Sequence, residues 1–211
     1  MMIDKIYHLT PEEEKRVTTI KSIVALYTPE NIDAVENITN IALNLAYLFE
    51  KWYLITRREE FWLYYASLLH AIGSSEGTKK YHIRTQNIIL DLRILPFSPQ
   101  ERLIIGCIAR YHRKALPSIR HPHFSALSPD QQNSVKWMSA YLRLAVDLHN
   151  HNLFPSKTTK SKREDSIVLI CKTNLPYIKS EEPRIKQKDL LEHLLGKMIK
   201  LKFEPSLSLT A

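Results

Sequence analysis

The stretch ASLLHAIG, residues 66–73, places a histidine near the end of a run that is apolar on nearly every side. A helix that is apolar all round is typical of a buried helix. The imidazole of His70 must therefore find a hydrogen-bond partner inside the protein or bind a ligand. We expect this helix to lie at the centre of the fold, with the other helices packed around it.

The composition predicts a globular, mainly helical protein. The chain has 211 residues, 44% of them hydrophobic and 25% charged, and only four glycines. These proportions favour one packed domain of ordinary size, with or without a small appendage. No apolar run approaches the ~18–20 residues of a membrane span, and the N-terminus lacks the layout of a signal peptide. Cys107 and Cys171 show no metal-ligand spacing, which favours a reducing, cytoplasmic setting without disulfides.

The charge is positive and unevenly distributed. The net charge is +8, and residues 102–154 contain seven Lys or Arg, two acidic residues and five of the nine histidines. Such a skew favours an anionic partner, such as phosphate, a nucleotide or nucleic acid, and no membrane partner is expected. The alternative is a soluble protein that is merely basic.

Capping signals divide the chain into helices. Thr10, Ser98 and Ser128 are each followed by proline and, three residues on, by Glu or Gln, which is the pattern of a capped helix start. Together with the apolar periodicity, they predict helices over about residues 10–27, 29–52, 58–73, 80–92, 99–113 and 129–150. Residues 73–77 and 115–127 are predicted to be loops.

The C-terminal part of the sequence has a different character. Residues 154–165 are polar and basic without an apolar period, which predicts a linker or mobile loop. The runs at 166–171 and 198–203 are typical of strands, and residues 189–196 indicate a short helix between them. We therefore predict a helical domain over 1–153, a basic linker over 154–165 and a small α+β segment over 166–211.

Four segments carry a resemblance to a known family. They are ASLLHAIG at 66–73, LPFS at 95–98, RYHRK at 110–114 and LRLA at 142–145. In order and spacing they resemble the C-terminal helical domain of the exopolyphosphatase and guanosine pentaphosphate phosphohydrolase (Ppx/GppA) family, over roughly residues 30–152. The tail resembles the small final domain of longer members. The resemblance implies a mainly α, HD-domain-like helical bundle with a small α+β C-terminal appendage.

The family's catalytic machinery has no counterpart in this sequence. The anhydride-cleaving site of the family belongs to N-terminal domains of the actin-like ATPase type, whose phosphate loops are rich in glycine. With four glycines, this chain is similar to the helical half standing alone. A separate catalytic phosphatase chain is therefore one expected partner, and a homodimer is another possibility.

The resemblance also implies where an HD-type metal site would lie. Asn37 stands at the position of its first histidine, Ala71 replaces the aspartate of the His-Asp pair, Arg84 falls near the next histidine and His149 near the last aspartate. Of the expected ligands only His70 and His112 remain, so we predict no cofactor. The alternative is a divergent metal-dependent phosphohydrolase using a divalent metal softer than magnesium, with His70, His112 and His149 as ligands. A further interpretation makes His70 a core histidine bonded to a neighbour such as Asn37.

A set of basic residues recurs on segments that, in the resembled fold, line one side of the bundle. The predicted phosphate-binding residues are Lys79, Lys80, Arg84, Arg110, His112, Arg113, Lys114 and Arg143, with Arg120 and His121 nearby in sequence. Guanidinium groups donate two parallel bonds to phosphate oxygens, and lysine adds point charge. The alternative is that cations at a helix C-terminus only complement the helix dipole. We therefore predict a module that binds polyphosphate or a phosphorylated nucleotide without hydrolysing it; the alternatives are the metal phosphohydrolase and an interaction subunit.

Overall fold

The structure is a computed structural model that describes residues 10–161, 165–173 and 183–205. Eight α-helices and a three-stranded sheet occupy these ranges, so the predicted mainly α fold with a small α+β appendage is confirmed. Across these ranges no helix is long and apolar enough to cross a bilayer.

Four long helices begin with a complete capping box. They are α1 (Pro11–Tyr27), α3 (Arg57–Leu69), α5 (Pro99–Arg110) and α7 (Pro129–Asn150), capped by Thr10, Thr56, Ser98 and Ser128. In each box the hydroxyl accepts a hydrogen bond from the backbone N–H three residues on, and the Glu or Gln at that position bonds back to the cap. Three of these starts were predicted. The box at Thr56 was missed, although the start of its helix was predicted within one residue; the helix ends at Leu69, four residues before the predicted end.

The other helices are shorter or less regular at their ends. They are α2 (Ile32–Leu48), α4 (Tyr81–Asp91), α6 (Pro122–Ser125) and α8 (Asp189–Leu195). A 3-10 turn at Pro29–Asn31 precedes α2, and a 3-10 helix at Ile72–Glu76 follows α3. The predicted loop at 73–77 is thus mostly 3-10 helix, and the predicted loop at 115–127 contains α6.

Helices α1, α3, α5 and α7 have their N-terminal ends on the same side of the bundle. Arg57 of α3 donates to Glu13 of α1 at 3.1 Å, and Gln100 of α5 donates to Gln131 of α7 at 2.9 Å. At the other end, the rings of His70 after α3 and His112 after α5 lie 5.1 Å apart. The basic residues that follow α5 therefore lie at the C-terminal end of the bundle.

Helix α3 is the centre of the core, as the sequence predicts. Every residue from Trp62 to Leu69 is buried, and the helix packs against α1, α2, α5 and α7. Gly73 then brings the chain against α4, where a Cβ atom would lie 2.5 Å from the backbone nitrogen of Thr85. The hydroxyl of Thr85 accepts from the Gly73 N–H and donates to the carbonyl of His70, both at 3.1 Å. This contact fixes the start of α4 against the end of α3.

The sheet has the order β1-β2-β3, with β1 at Phe154–Lys160, β2 at Ser166–Thr173 and β3 at Met198–Pro205. Strand β2 pairs antiparallel with β1 and parallel with β3. On β2, Ile167, Leu169 and Cys171 are buried, while Val168 and Ile170 on the other face are half-buried and Lys172 is exposed. The predicted strands at 166–171 and 198–203, and the helix between them, are confirmed.

The prediction of a linker at 154–165 is wrong for residues 154–160, which form β1. This segment is extended because β2 satisfies its backbone groups along one edge. On the other side α2 holds it, since Asn44 Nδ2 donates to the Pro155 carbonyl at 2.6 Å and Thr158 Oγ1 donates to the Leu48 carbonyl at 3.0 Å. Of the remaining linker residues, 162–164 lie outside the described ranges.

Candidate functional site: a histidine pair beneath a basic cluster

His70 and His112 form a buried pair at the C-terminal ends of α3 and α5. Each ring Nδ1 lies 2.6 Å from a backbone carbonyl, that of Ser67 for His70 and that of Ala109 for His112. A carbonyl only accepts, so in both rings Nδ1 carries the proton. The Tyr81 hydroxyl donates a hydrogen bond to His112 Nε2 at 2.9 Å. Asn37 is exposed, so the expected bond between Asn37 and His70 is wrong.

Both histidines are neutral at physiological pH. Burial lowers the pKa of His70 to about 4, even though the bond to Ser67 opposes this shift. The pKa of His112 lies well below its ordinary value, because of burial first and then of the neighbouring His70. The pair therefore belongs to the core, where it supplies no charge.

The donor set around this pair does not fit a divalent metal. His112 has both ring nitrogens engaged, and Ala71 provides no carboxylate. His149 is half-buried near His70, yet within the described ranges no three His, Cys, Asp or Glu side chains are close enough together to hold a metal ion.

Arg84 supports the loop that carries two predicted phosphate-binding lysines. Its Nε donates to the Gly73 carbonyl at 3.0 Å, its Nη1 donates to the Lys79 carbonyl at 2.8 Å, and its Nη2 donates to the Gly77 carbonyl. Glu76 lies 3.9 Å from the same guanidinium. With three backbone carbonyls as acceptors, Arg84 holds the loop in place, and its hydrogen bonds are used within the protein.

Arg143 supports the segment after α5, which carries Arg113 and Lys114, as Arg84 supports the loop before α4. Its side chain is 5% exposed and forms a two-pronged ion pair with Asp189 of α8, at 2.8 and 3.1 Å. The same guanidinium donates to the carbonyls of Tyr111 and Lys114, at 3.4 and 3.5 Å. Arg143 thus fixes the backbone after α5 and joins it to the C-terminal segment, so it is not available to a phosphate ligand.

Arg110 is also held from within the protein. Its Nη1 donates to Gln86 Oε1 at 2.7 Å, and its guanidinium lies 5.7 Å from the ring centroid of Tyr111. His121 joins this group through a 2.8 Å hydrogen bond between its Nδ1 and the Tyr111 hydroxyl. Arg120 is exposed at the neighbouring turn.

The remaining predicted cations form what we call the basic cluster: Lys79, Lys80, Arg113 and Lys114. The three lysines are exposed, and the Arg113 guanidinium lies 4.9 Å from the ring centroid of Tyr81. This contact joins the end of α5 to the start of α4. Within the described ranges no carboxylate lies within ion-pair distance of these four side chains.

Two members of the basic cluster have left-handed backbone conformations. Lys80 has φ 56° and Lys114 has φ 63°; Asn152 is the third non-glycine residue with positive φ in the described ranges. For a residue with a Cβ this region costs about 1–2 kcal/mol. Strain of this kind concentrates at functional sites when the surrounding structure enforces it.

Sequence reasoning missed Tyr81 and His82, which lie between the two halves of the basic cluster. His82 is buried, and its pKa is lowered to about 4, first by burial and then by Arg113, Arg110 and Lys114. The dipeptide Lys79-Lys80 could have indicated them. Tyr81 and His82 follow it directly at the start of α4, so they lie beside the two lysines.

Comparison with known proteins agrees with this architecture. The family model described as Ppx/GppA phosphatase, domain III, matches residues 16–196, which includes the bundle from Arg16 of α1 onward, the histidine pair and the basic cluster. A comparison with curated proteins gives no match. Because the family model spans far more than half of the sequence, the chain belongs to the Ppx/GppA phosphatase domain III family.

Proposed function

We propose that the basic cluster binds linear polyphosphate, or the phosphate groups of a phosphorylated nucleotide, and that this chain does not hydrolyse the ligand. Membership of the Ppx/GppA family supports phosphate-containing compounds as the ligand class. The single observation that carries the proposal is the pair of left-handed lysines, Lys80 and Lys114, held without carboxylate partners among the described residues.

The left-handed backbone conformation of Lys80 and Lys114 favours a role for their charge in binding. Glycine would adopt the same backbone conformation without steric cost. A lysine in this conformation lowers the stability of the fold because of its Cβ, and both lysines are exposed. A charged residue at a strained position is expected when the charge itself serves binding.

Local charge supports a polyanionic ligand. The sequence contains no Asp or Glu at residues 77–90 or 102–129, the two segments that supply the basic cluster. Cations near a helix C-terminus complement its dipole, which accounts for some of the charge after α5. The dipole does not account for Lys79 and Lys80, since they precede the N-terminus of α4, where the dipole is positive.

The absence of hydrolysis in the proposal follows from the chemistry of the buried side chains. His112 uses one nitrogen to donate and the other to accept within the protein. Ala71 stands beside His70 with no carboxylate to orient a water molecule. General-base catalysis needs a group that can reach the proton it removes. His112 has no free ring nitrogen, and His70 is only 3% exposed, so its ring is out of reach of a substrate at the surface.

The proposal is tested by measuring polyphosphate binding over a range of KCl concentrations. We expect the logarithm of the binding constant to fall linearly with the logarithm of salt, because each neutralised phosphate releases counterions. The double variant Lys79→Ala/Arg113→Ala should lower the slope by about 1.4, taking ~0.7 per phosphate of a single-stranded polyanion.

The matched control is Lys157→Ala/Lys172→Ala, which removes two lysines from the sheet and changes the net charge equally. Equal loss of affinity in the two double variants would refute a specific site and leave only general attraction to a basic protein. Release of inorganic phosphate on addition of manganese or cobalt would refute the absence of hydrolysis.

A further inference from the structure

The carboxylate of Asp189 is joined to the basic cluster through a buried arginine. Asp189 opens α8, and its two oxygens accept from Nε and Nη2 of Arg143 at 2.8 and 3.1 Å. The same guanidinium donates to the backbone carbonyls of Tyr111 and Lys114, at 3.4 and 3.5 Å. Arg143 is therefore bonded both to the C-terminal segment and to the chain that carries Arg113 and Lys114.

Helix α8 is docked on α7 by contacts of its own. Asp147, which lies one turn further along α7, accepts from the backbone N–H groups of Lys186 and Gln187, at 2.8 and 2.9 Å. The two leucines that follow Asp189 are buried in the core, and α8 packs against α7. The docking of α8 therefore sets the position of the Asp189 carboxylate.

The two carbonyl bonds of Arg143 depend on its ion pair. The arginine side chain is 5% exposed, and a buried guanidinium without an opposite charge is strongly unfavourable. If the carboxylate is withdrawn, the guanidinium is expected to turn toward water. The distances of 3.4 and 3.5 Å to the carbonyl oxygens lie at the long end of the hydrogen-bond range. A displacement of a few tenths of an ångström is therefore enough to break both bonds.

We propose that Asp189 is a positioning residue for the basic cluster. Docking of α8 holds Arg143 against the Lys114 carbonyl and so presents the Lys114 side chain to polyphosphate; this role rests on the function proposed above. Lys114 has φ 63°, and such a strained conformation persists only when neighbouring contacts enforce it. The C-terminal segment thereby controls the affinity of the basic cluster. Because coupling between two sites is reciprocal, polyphosphate in turn stabilises the docking of α8.

The first test is hydrogen exchange in the full-length protein without ligand. Asp189→Asn keeps the size of the side chain and removes its charge, so residues 111–116 should exchange faster than in the parent protein. Asp165→Asn is the matched control, because it removes a carboxylate that pairs with Lys197 at the surface just before β2. Exchange in α1 that matches the parent protein reports that each variant is folded. Unchanged exchange at residues 111–116 in Asp189→Asn overturns the positioning role.

The second test is the affinity of both variants for polyphosphate at one KCl concentration. Each variant removes one negative charge, so general electrostatic attraction predicts equal or slightly tighter binding for both. A positioning role predicts the opposite sign for Asp189→Asn, with an affinity at least about fivefold lower. If Asp189→Asn binds polyphosphate as tightly as Asp165→Asn does, the coupling to the basic cluster is overturned.

The third test uses the parent protein and needs no variant. Saturating polyphosphate should slow hydrogen exchange in α8 relative to α1, which packs on α3. Equal exchange in α8 with and without polyphosphate overturns the reciprocal coupling. Failure of the proposed function has a different signature. In that case Lys79→Ala/Arg113→Ala and its control in the sheet bind polyphosphate equally, while faster exchange at residues 111–116 in Asp189→Asn still supports the positioning role.

Discussion

Replacing the two left-handed lysines by glycine should make the protein more stable and worse at binding polyphosphate. Lys80 and Lys114 have φ values of 56° and 63°, and a Cβ in this region costs about 1–2 kcal/mol per residue. Glycine removes that cost but increases the entropy of the unfolded chain by about 0.4–1 kcal/mol. The double variant Lys80→Gly/Lys114→Gly should therefore raise the free energy of unfolding by about 1–2 kcal/mol in total.

The two effects are measured separately. Urea unfolding at pH 7 gives the change in the free energy of unfolding, and titration with polyphosphate at several KCl concentrations gives the affinity. Lys80→Ala/Lys114→Ala is the matched control, because alanine removes the same charges and keeps the Cβ. We expect it to lose affinity as the glycine variant does, without the gain in stability. A glycine variant that binds as tightly as the parent protein would refute the functional interpretation of these lysines.

Two further predictions concern stability. The pKa of His70 is about 4 in the folded protein and has an ordinary value of 6.5 in the unfolded chain. Between these two pH values the unfolded chain binds more protons than the folded protein. The contribution of His70 to the free energy of unfolding is therefore fully present above pH 6.5 and is lost as the pH falls towards 4. Lowering the pH from 7 to 5 should cost about 2 kcal/mol through this group, and His70→Asn should remove that dependence in urea unfolding, unlike His193→Asn at an exposed site. Gly73→Ala should lower the free energy of unfolding by about 2–3 kcal/mol, since its Cβ would meet the Thr85 backbone at 2.5 Å. Gly106→Ala, with contacts of 3.5 Å or more, should change it by less than about 1 kcal/mol; equal effects would contradict this reasoning.

The helix starts could be predicted because their signals are local. A hydroxyl, a proline and a carboxylate within four residues specify a capping box wherever the helix packs later. Strand β1 could not be predicted in this way. Its Lys and Thr residues show no apolar alternation, and its extended conformation depends on pairing with β2 and on contacts with α2, which lies more than a hundred residues earlier.

The candidate site was predicted by residue type but not by role. The sequence indicated a group of cations, and the basic cluster consists of four of them. It did not indicate that Arg84 and Arg143 lie beneath this cluster. An arginine that bonds backbone carbonyls and an arginine that binds a ligand have the same neighbours in the sequence. Burial and carbonyl acceptors distinguish them, and both depend on contacts distant in sequence.

The ion pair between Arg143 and Asp189 also has a consequence for the order in which the protein folds during synthesis. The two residues are 46 positions apart, so at about 5–20 residues per second Asp189 is added about 2–9 s after Arg143. Until then the guanidinium has no opposite charge, and burying it alone would cost several kcal/mol. We therefore expect the packing around Arg143 to be completed only after α8 has been synthesised, because α8 carries Asp189 and packs against α7.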